Sequence, residues 1–417
     1  LGAKFGPVAY LCIVVGCIFG GATLDYLSGM LSMRNDGASL PELIGKYLGR
    51  NAKMVMLAFT VLLLIMVGTV FVYSPAEILH SIWGSSLFWI IVIFAYYVIA
   101  TMLPIDKIIG KIYPLFAFSL LFMAGALMVM LFVKMPQLPE LWTHFYNMGA
   151  EAEPEKWTDQ IFPCLFITIA CGAISGFHAT QSPLMARCVK SEHMGRPIFY
   201  GAMITEGVVA LIWATVSSWF FYGSPAPGYE LIAAVNTGFS TSAPAVVNIV
   251  CNDWLGVAGA ILALLGVVAA PITSGDTAFR SARLIIGEWL HIDQRPIIKR
   301  LAICLPLFIS SIAMLVWQIE NPDGFNIIWQ YFGWANQTLS VFTLWTLTVY
   351  LVRQKKPYII TLIPALLMTT VCTTFLFVSK QAFHLPENIG YLLGILCLVV
   401  ALVWFIVWYR KEKSKLV

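Results

Sequence analysis

The sequence predicts an all-α membrane protein: a single transmembrane transporter domain over residues 1–417, with about eleven membrane-spanning helices, one of them broken at mid-membrane. Composition is the first observation behind this fold class. Of the 417 residues, 59% are hydrophobic and only 11% are charged, whereas soluble domains are about 25% charged. The surplus apolar surface needs a lipid bilayer as its partner, which excludes a soluble enzyme and a nucleic-acid-binding protein.

The spacing of the apolar stretches is the second observation, because a membrane-spanning helix needs about 20 mostly apolar residues. Eleven stretches qualify, and they cover residues 7–29, 54–75, 87–103, 112–133, 161–189, 198–222, 252–272, 301–318, 326–351, 357–379 and 388–409. Short interfacial helices are expected at 39–49 and 274–291. The loop 223–250 has no Lys or Arg and is either a re-entrant element or an ordered outer loop.

The distribution of basic residues is the third observation. Of the 25 Lys and Arg residues, all but Lys4, Lys134, Lys156 and Lys380 lie in the loops that follow odd-numbered spans. The positive-inside rule makes these loops cytoplasmic, so residue 1 is predicted outside and the C-terminus inside. The chain begins with Leu1 rather than Met, and we expect an N-terminal segment to be missing.

The segment 161–189 contains too many Gly, Ser and Pro residues for one regular helix, and predicts a break near mid-membrane. The first half is expected to end at Gly172, and Ser182–Pro183 is typical of the N-cap and first turn of a second half. Unwound backbone at that depth must contact protein or water, and paired helix ends attract ions and charged groups. A Pro/Gly kink packed against neighbours is the alternative. The predicted substrate-binding residues are Gly172, Ser175, Gly176, His178, Thr180, Gln181 and Ser182.

Ionisable residues inside predicted spans are candidates for coupling transport to H⁺ or Na⁺. Glu206 is either a proton-coupling acid or a structural hydrogen-bonding group, and Asp25 fits an interfacial position slightly better. Thr273, Ser274 and Asp276 offer oxygen ligands for Na⁺, but their favoured minimum role is to cap a helix over 277–290. No resident metal or cofactor is predicted, because no Cys or His cluster has ligand spacing.

Two neighbouring amides lie inside the predicted span 326–351. Asn336 and Gln337 either line a polar path or, as single amides more often do, join helices through hydrogen bonds.

Four stretches together resemble one known family: ACGAISGFHATQSPLMARC at 170–188, with residues 20–44, 272–285 and 332–339. This family is that of carbon starvation protein A. The resemblance implies a bacterial inner-membrane transporter that takes up peptides or pyruvate during starvation by cation-coupled symport. It also implies a fold similar to the amino acid–polyamine–organocation superfamily, with inverted five-helix repeats and here without its first helix.

A secondary transporter is therefore the leading functional hypothesis, with the lipid bilayer and a small solute as partners. An intramembrane hydrolase is a second hypothesis, because Ser175 and His178 stand three residues apart. A channel or a starvation sensor is a third. The sequence does not determine the oligomeric state.

Overall fold

A computed structural model describes residues 1–102, 113–152, 160–169, 173–223, 243–321 and 324–416, and the regular secondary structure in those ranges is all helical. The helices of eight or more residues are α1 (Val8–Val15), α2 (Ala22–Met33), α3 (Leu40–Leu48), α4 (Arg50–Ile82), α5 (Ser86–Met102), α6 (Tyr113–Lys134), α7 (Gly176–Ala186), α8 (Gly201–Tyr222), α9 (Ala243–Trp289), α10 (Ile297–Glu320), α11 (Gly324–Arg353), α12 (Ile359–Val378) and α13 (Glu387–Leu416). The shorter helical pieces are Gly2–Phe5, Gly16–Gly21, Met148–Ala152, Ile161–Leu165, Phe166–Thr168, Glu192–Met194 and Arg196–Tyr200.

Within the described ranges, eight helical segments are long and apolar enough to cross a membrane. Each overlaps a predicted span, so the chain is a multi-pass membrane protein, although the total of eleven is not established. The eight segments are Val8–Met33, Arg50–His80, Tyr113–Lys134, Glu192–Tyr222, Gly259–Trp289, Ile297–Glu320, Ile359–Val378 and Glu387–Ser414.

The other three predicted spans are not among these eight segments, and the reason differs for each. Helix α5 has 17 residues, which reach only about 26 Å at 1.5 Å per residue. Helix α11 has 30 residues, but Thr, Asn and Gln side chains make it more polar. Several of its hydroxyls, such as that of Thr343, donate to the carbonyl four residues earlier, which satisfies them inside the helix. The third span is the broken segment, described below.

One boundary prediction is wrong. Helix α9 continues through residues 273–277 to Trp289, so Thr273 and Asp276 do not cap a new helix, and 274–291 is not a separate interfacial helix. The Thr273 hydroxyl instead donates to the Ala270 carbonyl within the same helix. The predicted short helix at 39–49 is present as α3.

The broken segment lies at the centre of the packing. Helix α7 packs against α2 and α11, and α4 packs against α9 and α11. The largest buried apolar cluster joins these helices and includes Leu24, Val67, Phe177, Phe279 and Leu339. Helix α7 is therefore held by neighbours on several sides, and its polar residues are positioned by packed helices.

Candidate functional site

The helix predicted over 161–189 is interrupted in the structure. Two short helical pieces cover Ile161–Leu165 and Phe166–Thr168, with non-helical backbone angles at Phe162. Residues 173–175 are not helical, and α7 begins at Gly176. The proposed end of the first half, at Gly172, lies outside the described residues. The interruption therefore falls within the predicted segment, but the second half begins six residues earlier than Ser182.

The N-terminus of α7 is fixed by a distant helix. Ser175 is the N-cap, and its hydroxyl accepts a hydrogen bond from the His178 backbone N–H at 3.4 Å. The side-chain oxygen of Asn336, on α11, accepts from the Phe177 N–H at 2.5 Å. Both bonds satisfy amides that helix starts leave unpaired. Pro183 then lies inside α7 rather than in its first turn, so the predicted N-cap at Ser182 is wrong.

The first half of the broken segment is held by the next residue of α11. The Gln337 side chain donates from Nε2 to the Phe166 carbonyl at 2.8 Å. Asn336 and Gln337 are fully buried, and together they hold the two sides of the break. The sequence signal for this role was the pair of adjacent amides in a membrane span, for which joining helices was one of two open interpretations.

Close backbone approaches also cover the interruption. A Cβ built on Gly176 would lie 2.0 Å from the Asn336 carbonyl oxygen, and one on Gly21 would lie 1.6 Å from the Ala173 carbonyl oxygen. Only glycine permits such distances. The unwound stretch is thus packed against protein, as backbone without helical hydrogen bonds requires inside a membrane.

We expect Gly176→Ala to destabilise the protein by at least about 1–3 kcal/mol, because the added methyl group forces α7 and α11 apart. The measurement is the melting temperature of the purified protein in detergent. Gly125→Ala on α6 is the matched control, because a Cβ there meets no atom within 4 Å. Equal melting temperatures for the two variants would contradict the close packing described here.

Three titratable residues that the sequence assigned to different roles meet in one place. His178 Nδ1 lies 3.1 Å from Asp25 Oδ2, and His178 Nε2 lies 3.2 Å from Glu206 Oε2. Asp25 is on α2, His178 is on the first turn of α7, and Glu206 is on α8. One imidazole therefore links three helices through two carboxylates.

These three side chains differ in their exposure. Asp25 is 9% exposed, His178 is 20% exposed and Glu206 is 40% exposed. The second oxygen of Asp25, Oδ1, is buried and has no hydrogen-bond partner. Asp25 is thus a buried acid that contacts His178 through one oxygen, and its depth in the membrane stays a prediction.

The remaining predicted binding residues are mostly buried within helix contacts. Ser175, Gly176, Thr180 and Ser182 are buried, whereas His178 and Gln181 retain partial exposure. Gln181 Nε2 donates to the Ser281 hydroxyl on α9 at 3.1 Å. Of the predicted binding residues that the structure describes, only His178 and Gln181 present polar surface to a solute.

The second predicted ion-coupling group lies apart from His178 and carries its own counter-charge. Both carboxylate oxygens of Asp276 accept from Arg280 Nη2, at 2.9 and 3.1 Å, and the two side chains are almost completely buried. Tyr113 donates to Asp276 at 3.0 Å. Thr273 and Ser274 lie one turn earlier on the same helix. This arrangement is that of a buried ion pair.

The hydrolase hypothesis needs a contact between the Ser175 hydroxyl and the His178 ring. Both ring nitrogens instead face carboxylates, and the Ser175 hydroxyl bonds Asn336 at 3.4 Å. The geometry therefore lacks a nucleophile paired with a base at these residues.

Comparison with known proteins identifies the family. The model of the carbon starvation protein CstA family matches residues 1–85, 72–223 and 228–375. The chain belongs to the CstA family. This confirms the resemblance noted in the sequence.

Several relatives carry functional names, and two of them differ in the solute that is named. The peptide transporter CstA of Helicobacter pylori is 25% identical over 488 aligned positions, which cover 89% of this chain and 70% of that protein. The pyruvate/proton symporter BtsT of Escherichia coli is 41% identical over 75 positions, which cover 18% of this chain and 10% of that protein. Membership of this family makes the chain a membrane transporter.

A solved structure shares the fold. A variant of the manganese transporter of Eremococcus coleocola superposes with a TM-score of 0.59 at 13% identity, and the match covers 98% of this chain and 90% of that one. This similarity concerns the helical fold alone and does not identify a substrate for this chain.

Proposed function

We propose that this protein is an inner-membrane secondary transporter that imports small peptides by proton symport, with His178, Asp25 and Glu206 as the proton-coupling group. The observation that carries the proposal is the imidazole of His178 held between two carboxylates from separate helices, at 3.1 and 3.2 Å. Ionisable groups inside membrane spans are costly and are usually functional.

The coupling follows from the hydrogen-bonding capacity of imidazole. A protonated ring donates from both nitrogens, whereas a neutral ring donates from only one. Loss of a proton therefore breaks the link from α7 either to α2, through Asp25, or to α8, through Glu206. Binding and release of one proton would change which helices are tied to α7, and that supplies the two-state element that alternating access requires.

The chemistry of the site favours H⁺ over Na⁺. Sodium binds oxygen ligands, and a histidine that contacts both carboxylates competes for those oxygens. Asp276, the other candidate sodium ligand, already has Arg280 as its counter-charge. A proton needs only the titratable groups that are present.

The proposed solute surface is the partly exposed face of α7 that carries His178 and Gln181. Peptides are the first candidate substrate, because the H. pylori relative that matches most of the chain is named a peptide transporter. Pyruvate is the second, because the shorter match is to a protein named a pyruvate/proton symporter.

The test is uptake of radiolabelled alanyl-alanine and pyruvate by proteoliposomes, with the membrane potential clamped at zero. One proton per neutral solute and a gradient of one pH unit, acidic outside, support about tenfold accumulation, because one pH unit is worth about 1.4 kcal/mol. A sodium gradient alone is expected to support none. Accumulation driven by sodium but not by protons would contradict the proposal.

A further inference from the structure

A cavity of about 360 Å³ lies at the C-terminal end of α7, which is the end away from the break. The charge distribution predicts that this face of the protein is cytoplasmic. Its lining is unusually basic. Five arginines contribute to it, from the C-cap of α7, from α9, from the turn between α9 and α10, and from α10: Arg187, Arg280, Arg283, Arg295 and Arg300. The volume is within the range of small-molecule sites.

Two of these arginines are buried with unused donors. Arg280 is 2% exposed and Arg283 is 7% exposed. In the described part of the chain, Nη1 of Arg280 and Nε of Arg283 have no hydrogen-bond partner. A buried charged donor without a partner is costly, and both arginines line the cavity, so an anion bound there would lie beside two guanidinium groups that are not fully hydrogen-bonded.

Part of the positive charge in the lining is not balanced by carboxylates of the described residues. Arg280 is paired with Asp276, and Arg187 lies 3.4 Å from Glu288. Arg283 donates to the Gln294 side chain at 2.8 Å, and Arg300 donates to backbone carbonyls. Arg295 donates to Asp293 Oδ1 at 3.1 Å from its backbone N–H, and its side chain has no ion pair among the described residues.

Of the residues that the structure describes in this lining, Asp293 is the only one with a carboxylate. Three arginines without an acidic partner therefore face one acid, which leaves two positive charges. Two charges match a phosphate dianion better than a single carboxylate.

We propose that this cavity is a binding site for a phosphate group, carried either by a soluble phosphate compound or by the headgroup of an anionic lipid. Arg283 supplies a buried guanidinium in the lining, and the more exposed Arg295 and Arg300 supply further positive charge. Guanidinium groups bind phosphate oxygens through charge-assisted, often bidentate hydrogen bonds. The site is separate from the His178 group, and its occupation would be sensed by α7, α9 and α10 together.

The test is a calorimetric titration of the full chain in neutral detergent, with inorganic phosphate in one arm and phosphatidylglycerol in the other. Phosphatidylcholine is the reference lipid. We expect saturable binding in one arm, weakened about tenfold to a hundredfold by Arg283→Gln, because a hydrogen bond to a charged group is lost. Arg50→Gln, an exposed arginine outside the cavity, is expected to bind like the wild type.

Binding of inorganic phosphate identifies the source as soluble, and binding of phosphatidylglycerol alone identifies it as lipid. If Arg283→Gln fails to fold, Arg295→Gln at the exposed rim gives the same comparison with a smaller loss. Absence of saturable binding in both arms, or unchanged affinity in the cavity variants, would overturn the proposal. So would displacement of phosphate by equimolar pyruvate. No flux is measured, so failure of the proton-symport proposal leaves this result interpretable.

Discussion

A His178→Gln variant is expected to lose proton-driven accumulation of solute. Glutamine occupies a similar volume and forms hydrogen bonds, but it has no titratable proton and cannot exchange one between Asp25 and Glu206. Solute movement is then no longer linked to the proton gradient, so the accumulation ratio falls from about tenfold to about 1. The measurement is the uptake assay with a gradient of one pH unit and no membrane potential.

Two further variants test separately the two contacts of His178, with Asp25 and with Glu206. Glu206→Gln breaks the link to α8, and Asp25→Asn breaks the link to α2; each is expected to abolish accumulation. His193→Gln is the matched control, because His193 is exposed on the short helix Glu192–Met194. Proton-driven accumulation that survives in His178→Gln, with the protein intact by gel filtration, would exclude this histidine as the coupling group.

An Asp276→Asn variant is expected to lose about 3–5 kcal/mol of stability, the cost of leaving a buried charge without its partner. Arg280 is 2% exposed and has Asp276 as its only carboxylate contact among the described residues. The double variant Asp276→Asn with Arg280→Gln removes both charges, so it is expected to recover much of the loss. The measurement is the melting temperature of each variant in detergent.

The same experiment separates an ion pair from a sodium site. A structural ion pair gives equal melting temperatures in sodium chloride and choline chloride for every variant. Stabilisation of the wild type by sodium, lost in Asp276→Asn, would instead restore the sodium-site hypothesis for Thr273, Ser274 and Asp276. Exposed Asp253, which lies 3.3 Å from Lys134, provides the control Asp253→Asn. Its loss is expected to be below about 1 kcal/mol, because exposed ion pairs contribute little.

Features with a local cause were predicted well. The apolar stretches are long enough to identify eight membrane-crossing segments without knowledge of their neighbours. The non-helical residues 173–175 were also predictable, because Gly and polar residues weaken a helix wherever it packs. Glu206 was a candidate because a carboxylate in a span is costly in any arrangement.

Features that depend on contacts with residues far away in the sequence were predicted poorly. Ser182–Pro183 is a good local start signal, yet Asn336, which lies more than 150 residues away, satisfies the N–H of Phe177 and moves the start of α7 to Gly176. Likewise, Thr273 to Asp276 resemble a cap, but Arg280 and Tyr113 satisfy the carboxylate, and α9 continues.

The sequence by itself determined that this chain lies in a membrane, where its eight long apolar segments lie, and which ionisable residues inside them are candidates for function. Those properties depend on the free energy of transferring each segment from water to lipid, which is a sum over the residues of that segment. Only the tertiary structure decided that Asp25, His178 and Glu206 meet and that five arginines surround one cavity. Partners for buried charges come from helices far apart in the chain, and no local pattern records which helices pack together.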